Sequence, residues 1–332
     1  IDMKSGTWKT GDLSPSSLKM WLDCPRKWFY NYKRKIRGGD RDFFLMGNVF
    51  DEVLFEEFRH DIGQDIDPII DLAADELKYR MKTSETLLRG DGVANSPVLN
   101  PDTLEFEGRK FTDDEIRDTV SMFRVWSRGL LKAVQDGEDA YGNRVNLPGI
   151  EEMQVECTYP IEVDGQTIRL RGYADILHTD GSVTDIKMAS AWAPVMWTHG
   201  RVLSELQWLV YSLALNTTTF KYLVVDKLKQ GRWPNQEAKA PSVRVITNQV
   251  YPRDVQHLKD IVTQFVRSTD YMTMGADNKG VFPPKPDYRG VQNALGRRTD
   301  EMLLTQNNFC QQLCDYKPLC FKECFSGEQR VQ

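Results

Sequence analysis

Apolar positions recur with period two after residue 150 and with a period of about 3.6 before it. Met153, Val155, Cys157, Tyr159, Ile161 and Val163 alternate with polar neighbours, as in a half-buried strand. Asp164-Gly165 supplies a two-residue hairpin turn. The return strand is expected over 167–177, with Ile168, Leu170, Gly172, Ala174 and Ile176 on its apolar parity. A second turn over 179–182 leads into a short strand at 183–187. A helix over about 204–215, an apolar strand over 222–225 and an amphipathic helix through Val255, Leu258, Ile261, Val262 and Phe265 follow. Upstream the pattern is helical. Ser14 caps a helix with Pro15 in its first position, and Pro25 ends or kinks it. Phe50, Val53, Leu54 and Phe58 make a second apolar face. Thr112-Asp113-Asp114-Glu115 is a capping box opening a helix with Ile116, Val120, Phe123, Trp126, Leu130 and Val134 on one side. Residues 59–110 are acidic and less patterned, with a loop over 89–103.

Strands joined by hairpins, then a helix and another strand with helices on the flanks, predict an α/β or α+β core. The expected organisation is an N-terminal helical part at 1–58, a helical insertion or cap at 59–150, the sheet-bearing core at 151–272 and a cysteine-rich segment at 273–332.

The 332 residues are 40% apolar and 27% charged, which excludes a largely disordered chain. No run of about 18 apolar residues is present, so no membrane-spanning helix and no membrane partner are expected. The first residues carry no apolar leader segment, so the expected location is cytoplasmic. A net charge of −5 disfavours a protein that coats DNA nonspecifically. It leaves room for an enzyme with a local basic channel, since distribution matters more than the sum. Four of the six cysteines stand at or beyond residue 310. In a reducing compartment that density favours metal ligation over disulfides.

Strand parity places the candidate chemistry. Asp175 lies on the parity opposite the apolar residues of its strand, and Asp185 and Lys187, two apart on the next strand, share a face. Two carboxylates and a backbone carbonyl offer the hard oxygen donors that Mg²⁺ or Mn²⁺ prefers. A neighbouring lysine would orient or help deprotonate a water. Taken alone, Asp-x-Lys also fits a plain surface ion pair.

These residues belong to an ordered series. Ser14-Pro15-Ser16-Ser17-Leu18 runs through Cys24-Pro25-Arg26-Lys27-Trp28-Phe29-Tyr30, and Gly47-Asn48-Val49-Phe50-Asp51 comes next. Gly172-Tyr173-Ala174-Asp175, Asp185-Ile186-Lys187, Gln207-Trp208-Leu209-Val210-Tyr211 and the terminal cysteines complete it. The series resembles the RecB-like exonucleases of the PD-(D/E)XK nuclease superfamily. It is most similar to their iron–sulfur branch, which includes the AddB nuclease domain and CRISPR-associated and phage exonucleases. The resemblance covers about 14–58 and 151–324 and implies a restriction-endonuclease-like core encoded by a bacterium or phage. It makes Asp175, Asp185 and the Ile186 carbonyl metal ligands and Lys187 the catalytic lysine. Gln207 and Tyr211 match the family's Gln-x-x-x-Tyr motif and would contact DNA phosphate or orient the lysine; their spacing equally fits helix packing. Glu156 matches an acidic position of the family. The relatives carry histidine where this chain has Asp51. An aspartate there keeps an all-oxygen metal site and predicts less selectivity for Mn²⁺ over Mg²⁺. His178 is expected at the surface of a strand end.

The relatives also join one early cysteine to three late ones around a [4Fe–4S] cluster. Cys24, Cys310, Cys314 and Cys320 take those places here, although the gap between Cys310 and Cys314 is one residue longer than usual and Cys324 is extra. A zinc site formed by Cys310, Cys314, Cys320 and Cys324 is the alternative. Cys157 follows the apolar parity of a core thiol. Basic residues from Arg26 to Arg37 interleave with aromatics, of which the aromatics are expected in the core and some of the cations on phosphate. Trp192, Trp197 and Arg201 would line a channel or cover the core.

The resulting expectation is a metal-dependent exonuclease acting mainly on single-stranded DNA ends in repair, recombination or phage DNA processing. The competing expectations are a DNA-binding module without catalysis, a structure-specific endonuclease and a zinc-stapled interaction protein. No phosphate-binding Gly-x4-Gly-Lys loop is present, so a helicase or recombination partner would be a separate chain.

Overall fold

The computed structural model describes residues 12–36, 42–60, 65–87, 99–189, 205–226, 240–274, 316 and 319. β1 (Asp12–Leu13) precedes α1 (Pro15–Asp23). The Ser14 hydroxyl accepts the Ser17 amide N–H at 3.1 Å, the cap expected from the sequence. α1 stops before Cys24, whose sulfur accepts the Lys27 N–H at the start of α2 (Pro25–Trp28), with Pro25 in the first helical position. A π-turn over Phe29–Lys33 follows. α3 (Asp42–Val49), a second π-turn (Phe50–Leu54) and α4 (Phe55–Phe58) form one interrupted helical segment. Next come α5 (Asp67–Thr83), the small antiparallel pair β2 (Glu85–Leu87) and β3 (Gly108–Lys110), and α6 (Asp113–Asp136). The capping box opening α6 is formed on both sides by Thr112 and Glu115.

The described residues fall into two compact units. One lies within Met20–Arg41, Ser84–Phe111 and Gly275–Gln332. In it Tyr30, Ile36, Leu99, Tyr316 and Leu319 are buried together, with Phe29, Leu104 and Phe106 packed against them. The Tyr30 and Tyr316 ring centroids are 5.5 Å apart, and the Tyr316 hydroxyl donates to the Ile36 carbonyl at 2.8 Å. The segment after Cys24 and two tail residues, Tyr316 and Leu319, therefore share one core. The aromatics at 28 and 30 are fully buried, as their spacing among the basic residues led us to expect.

The other unit lies within Ile1–Lys19, Asp42–Thr83 and Thr112–Met274, so the described part of 59–150 is divided between the two. Its sheet contains β4 (Ile150–Val163), β5 (Gln166–His178), β6 (Val183–Ala189), β7 (Thr219–Asp226) and β8 (Ser242–Gln249), in the order β1-β5-β6-β7-β8 with β4 beside β5. β6 and β7 are parallel, and the β4–β5, β5–β6 and β7–β8 pairs are antiparallel. Asp164 and Gly165, both with positive φ, make the β4–β5 turn. α7 (Gln207–Ala214) precedes β7, and α8 (Pro252–Met274) follows β8. This mixed sheet flanked by helices is the α/β core that the period change after 150 predicts.

α5, β1 and β8 are additions to the sequence reading. α5 buries Ile69, Ile70, Ala73, Ala74, Leu77 and Met81 at regular helical spacing, but its small alanines and interleaved acids dilute the apolar signal. β8 carries Arg244 and Asn248 among its inward or half-covered positions, which breaks the simple alternation. α6 lies close to the segment entering β8: a Cβ on Gly129 would stand 2.3 Å from the Pro241 ring. Asp139 then ties the loop after α6 to the sheet. Its carboxylate accepts N–H bonds from Tyr141, Asn143 and Val243, which together hold its pKa below the usual carboxylate value despite burial.

Candidate active site

β5 pairs with β4 along its length, so β1 and β6 must share its other edge. β1 uses Arg169 and Leu170, and β6 uses only Ile176 and Leu177. Between these ladders residues 171–175 have no strand partner on this edge among the described residues, a gap in the pairing. Asp175 is the first residue beyond the β5–β6 ladder. Its Oδ2 accepts the Ile186 N–H at 2.7 Å, satisfying a backbone donor that the ended ladder would otherwise leave unpaired. In an extended strand the N–H and C=O of one residue leave on the same edge, so the Ile186 carbonyl faces this gap as well.

Asp185 precedes Ile186 and Lys187 follows it, and they share a face by strand parity. Lys187 Nζ forms an ion pair with Asp185 Oδ2. Asp185 is 1% exposed and Asp175 8%, while the Lys187 side chain keeps 23% of its surface. Asp175, Asp185, Ile186 and Lys187 are thus brought together at one place, and the Asp185–Lys187 pair is not a solvated surface pair. Burial pushes the Asp185 carboxyl up, opposed by Lys187 and reinforced by the charge of Glu205. Burial works against the Lys187 ammonium, but Asp185 and Asp175 outweigh it and hold its pKa above the ordinary lysine value. The paired carboxylates thus favour the charged form of the lysine.

α7 covers the gap. Gln207 hydrogen-bonds Tyr211 one turn on, and burial together with the Asp185 charge pushes the Tyr211 phenol up to about 12. A Cβ on Gly172 would stand 2.6 Å from the Tyr211 hydroxyl and 2.7 Å from its ring edge. The glycine of Gly-x-x-Asp and the tyrosine of Gln-x-x-x-Tyr are therefore one packing unit, a relation their sequence separation conceals.

Two site neighbours carry no motif. Glu205 is buried just before α7 and is held by Lys19 of α1 at 2.7 Å. Its charge reaches both Asp185 and Tyr222, and burial with these two carboxylates pushes the Tyr222 phenol well up. No local pattern joins residues 19 and 205. Glu156 stays outside the group; it is exposed and pairs with Arg171 at 2.7 Å. The Asp51 side chain, Cys310, Cys314, Cys320, Cys324, Arg37, Trp192, Trp197 and Arg201 lie outside the described residues. Cys157 is buried on the apolar parity, its thiol pushed up to about 11 by burial, which suits an inert core thiol. Among the described residues no group of three or more His, Cys, Asp and Glu side chains is gathered as a metal site, and no helix is long and apolar enough to cross a membrane.

His178 corrects an expectation. It is fully buried rather than on the surface. Nδ1 lies 3.1 Å from the Pro148 carbonyl, which can only accept, so Nδ1 carries the proton and Nε2 accepts the Thr184 hydroxyl at 2.7 Å. Parity alone misplaces it because the turn and the 148 segment close over the strand end. Burial, with the nearby Lys221 charge, lowers its pKa. The unfolded chain accordingly takes up a proton that the native ring resists. Stability is expected to be flat above about pH 6.5 and to fall as the pH drops below it. In urea unfolding across that range His178→Gln should flatten this limb; an unchanged limb would assign it to other groups.

The sequence profile of the PD-(D/E)XK nuclease superfamily matches residues 12–321. No curated protein matches the chain. Among solved structures, the crystal structure of SSO0001 is similar at 13% identity and a TM-score of 0.26 over 46% of this chain, which spans 60% of that protein. A candidate exonuclease from Eubacterium rectale is similar at 12% identity and a TM-score of 0.44, over 92% of this chain and 97% of that one. With the profile match running over nearly the whole chain, the protein belongs to the PD-(D/E)XK nuclease superfamily.

Proposed function

We propose that the protein is a metal-dependent DNA exonuclease acting mainly on single-stranded ends in repair, recombination or phage DNA processing. The observation that supports this reading is the Asp175–Ile186 bond, which sets a second carboxylate against the Asp-x-Lys strand at the point where the sheet opens. The donor set fits Mg²⁺ or Mn²⁺: two buried carboxylates and a strand carbonyl are hard oxygens, and the raised Asp185 carboxyl is a group that a nearby cation would return to its charged form. Asp175, Asp185 and the Ile186 carbonyl would hold the ion, with Asp51 as a further oxygen donor. When bound, such an ion lowers the pKa of a water and stabilises charge on a phosphoryl oxygen.

The chain's own residues do the rest. Asp185 fixes Lys187, whose ammonium would stabilise the negative charge building on the phosphate. Gln207 and Tyr211 wall the gap and hold the Gly172 strand in place. In the same reading Cys24, Cys310, Cys314 and Cys320 hold a [4Fe–4S] cluster that staples the tail to the N-terminal segment. This is supported by the Cys24 sulfur accepting a helix N-terminal N–H and by Tyr316 and Leu319 sharing a core with Tyr30 and Ile36.

The test is purified protein with Mg²⁺ or Mn²⁺ and end-labelled single-stranded, duplex and circular DNA. Loss of linear single strands with circles spared is expected under either metal. Cutting of circles would make the protein an endonuclease, and retention without cutting would make it a binding module. Anaerobic protein should be brown and contain iron; colourless protein holding zinc would overturn the cluster.

A further inference from the structure

The exposed side of β5 leads straight to the candidate site. Arg169, Arg171, Tyr173 and Asp175 stand on alternate positions of the strand, so they share a face at a repeat of about 6–7 Å. Tyr173 is 50% exposed and belongs to neither hydrophobic core. It lies one face-step from Asp175, on the side of the strand opposite Gly172 and the Tyr211 ring. The charges around it cancel. Arg169 and Arg171 both pair with Asp12, at 2.8 and 3.2 Å, and Arg171 also pairs with Glu156, the residue directly opposite Tyr173 on β4.

A surface whose charges are paired off in this way is a poor phosphate site. What it offers a nucleotide is an aromatic ring. Base faces are open in single strands and buried by stacking in duplex, and stacking on tyrosine is tolerant of base identity. Resting on the nuclease reading above, we infer that Tyr173 is a base-stacking residue that receives an unpaired nucleobase next to the scissile phosphate and gives the site its preference for single strands.

Tyr173→Ala removes an exposed ring and should leave the melting temperature near the parent's. Its KM for a single-stranded oligonucleotide should rise about tenfold, with kcat changed less, and Tyr173→Phe should restore the parental KM because the hydroxyl is not needed. A scan of abasic nucleotides along the terminal stretch should find one position at which the parent loses about tenfold in affinity and Tyr173→Ala loses nothing further. A parental KM in Tyr173→Ala, or a scan in which no abasic position matters, overturns the inference and leaves the nuclease reading standing. Absence of any DNA binding and cleavage by the unaltered protein overturns both.

Discussion

Under the proposed function, Lys187→Ala protein is expected to bind single-stranded DNA and to cleave it about a hundred- to a thousandfold more slowly than the parent. Two effects add in that variant. The ammonium that would meet the charge developing on phosphate is gone. Asp185, 1% exposed, is also left without its ion-pair partner, and a buried carboxylate deprived of its counter-charge takes up a proton rather than staying ionised. In the proposed mechanism the variant thus weakens a candidate metal-holding acid as well as removing the lysine. Asp185→Asn should therefore cost about as much, and the double variant little more than either, because the pair acts as a unit. Stability suffers less than for a fully dry pair, since the Lys187 side chain is still about a quarter exposed. Single-turnover cleavage beside fluorescence binding measures both halves. Parental cleavage rates in Lys187→Ala would remove this residue from the site, and near-additive losses in the double variant would separate the two roles.

Gly172→Ala should destabilise the protein by about 1–3 kcal/mol and lower cleavage along with it. Ordinarily a glycine inside a strand is replaced by alanine with a gain of about 0.5–1 kcal/mol, because the unfolded chain loses freedom. The local geometry reverses the sign. The new methyl would sit 2.6 Å from the Tyr211 hydroxyl and 2.7 Å from Cε1. The obstacle is the ring of a tyrosine only 4% exposed and packed beside Phe220, so it has no free space to swing into. Either β5 or α7 must shift, and both carry candidate site residues. Adding Tyr211→Phe removes the nearest atom but not the ring edge, so thermal melting should recover only in part. Full stability in Gly172→Ala would show that α7 yields freely and that the tyrosine is not a fixed wall.

Much of the site was readable before any coordinates. The Asp185–Lys187 face follows from a period of two, and the Asp164-Gly165 turn sets the hairpin that carries Asp175. The capping box at Thr112 and the stop at Pro25 depend on neighbours within one helical turn, and both formed as read. His178 was misjudged, and α5, inside the expected helical insertion, was not delimited, for opposite reasons. One looked exposed because its cover comes from the distant 148 segment. The other looked less patterned because alanine supplies an apolar face with little hydrophobic signal.

Sequence alone determined the family series and the α/β periodicity and nominated the candidate acids, lysine and cysteines, because each is written in residue type and short-range spacing. Tertiary structure decided that β5 parts from β6 at Asp175, that Tyr211 lies on Gly172, and that Lys19 anchors Glu205. Those contacts join residues separated by long stretches of chain. They exist only once strands have chosen partners and the helix has been laid over the opening, and no local preference specifies which distant group will fill a gap in a sheet.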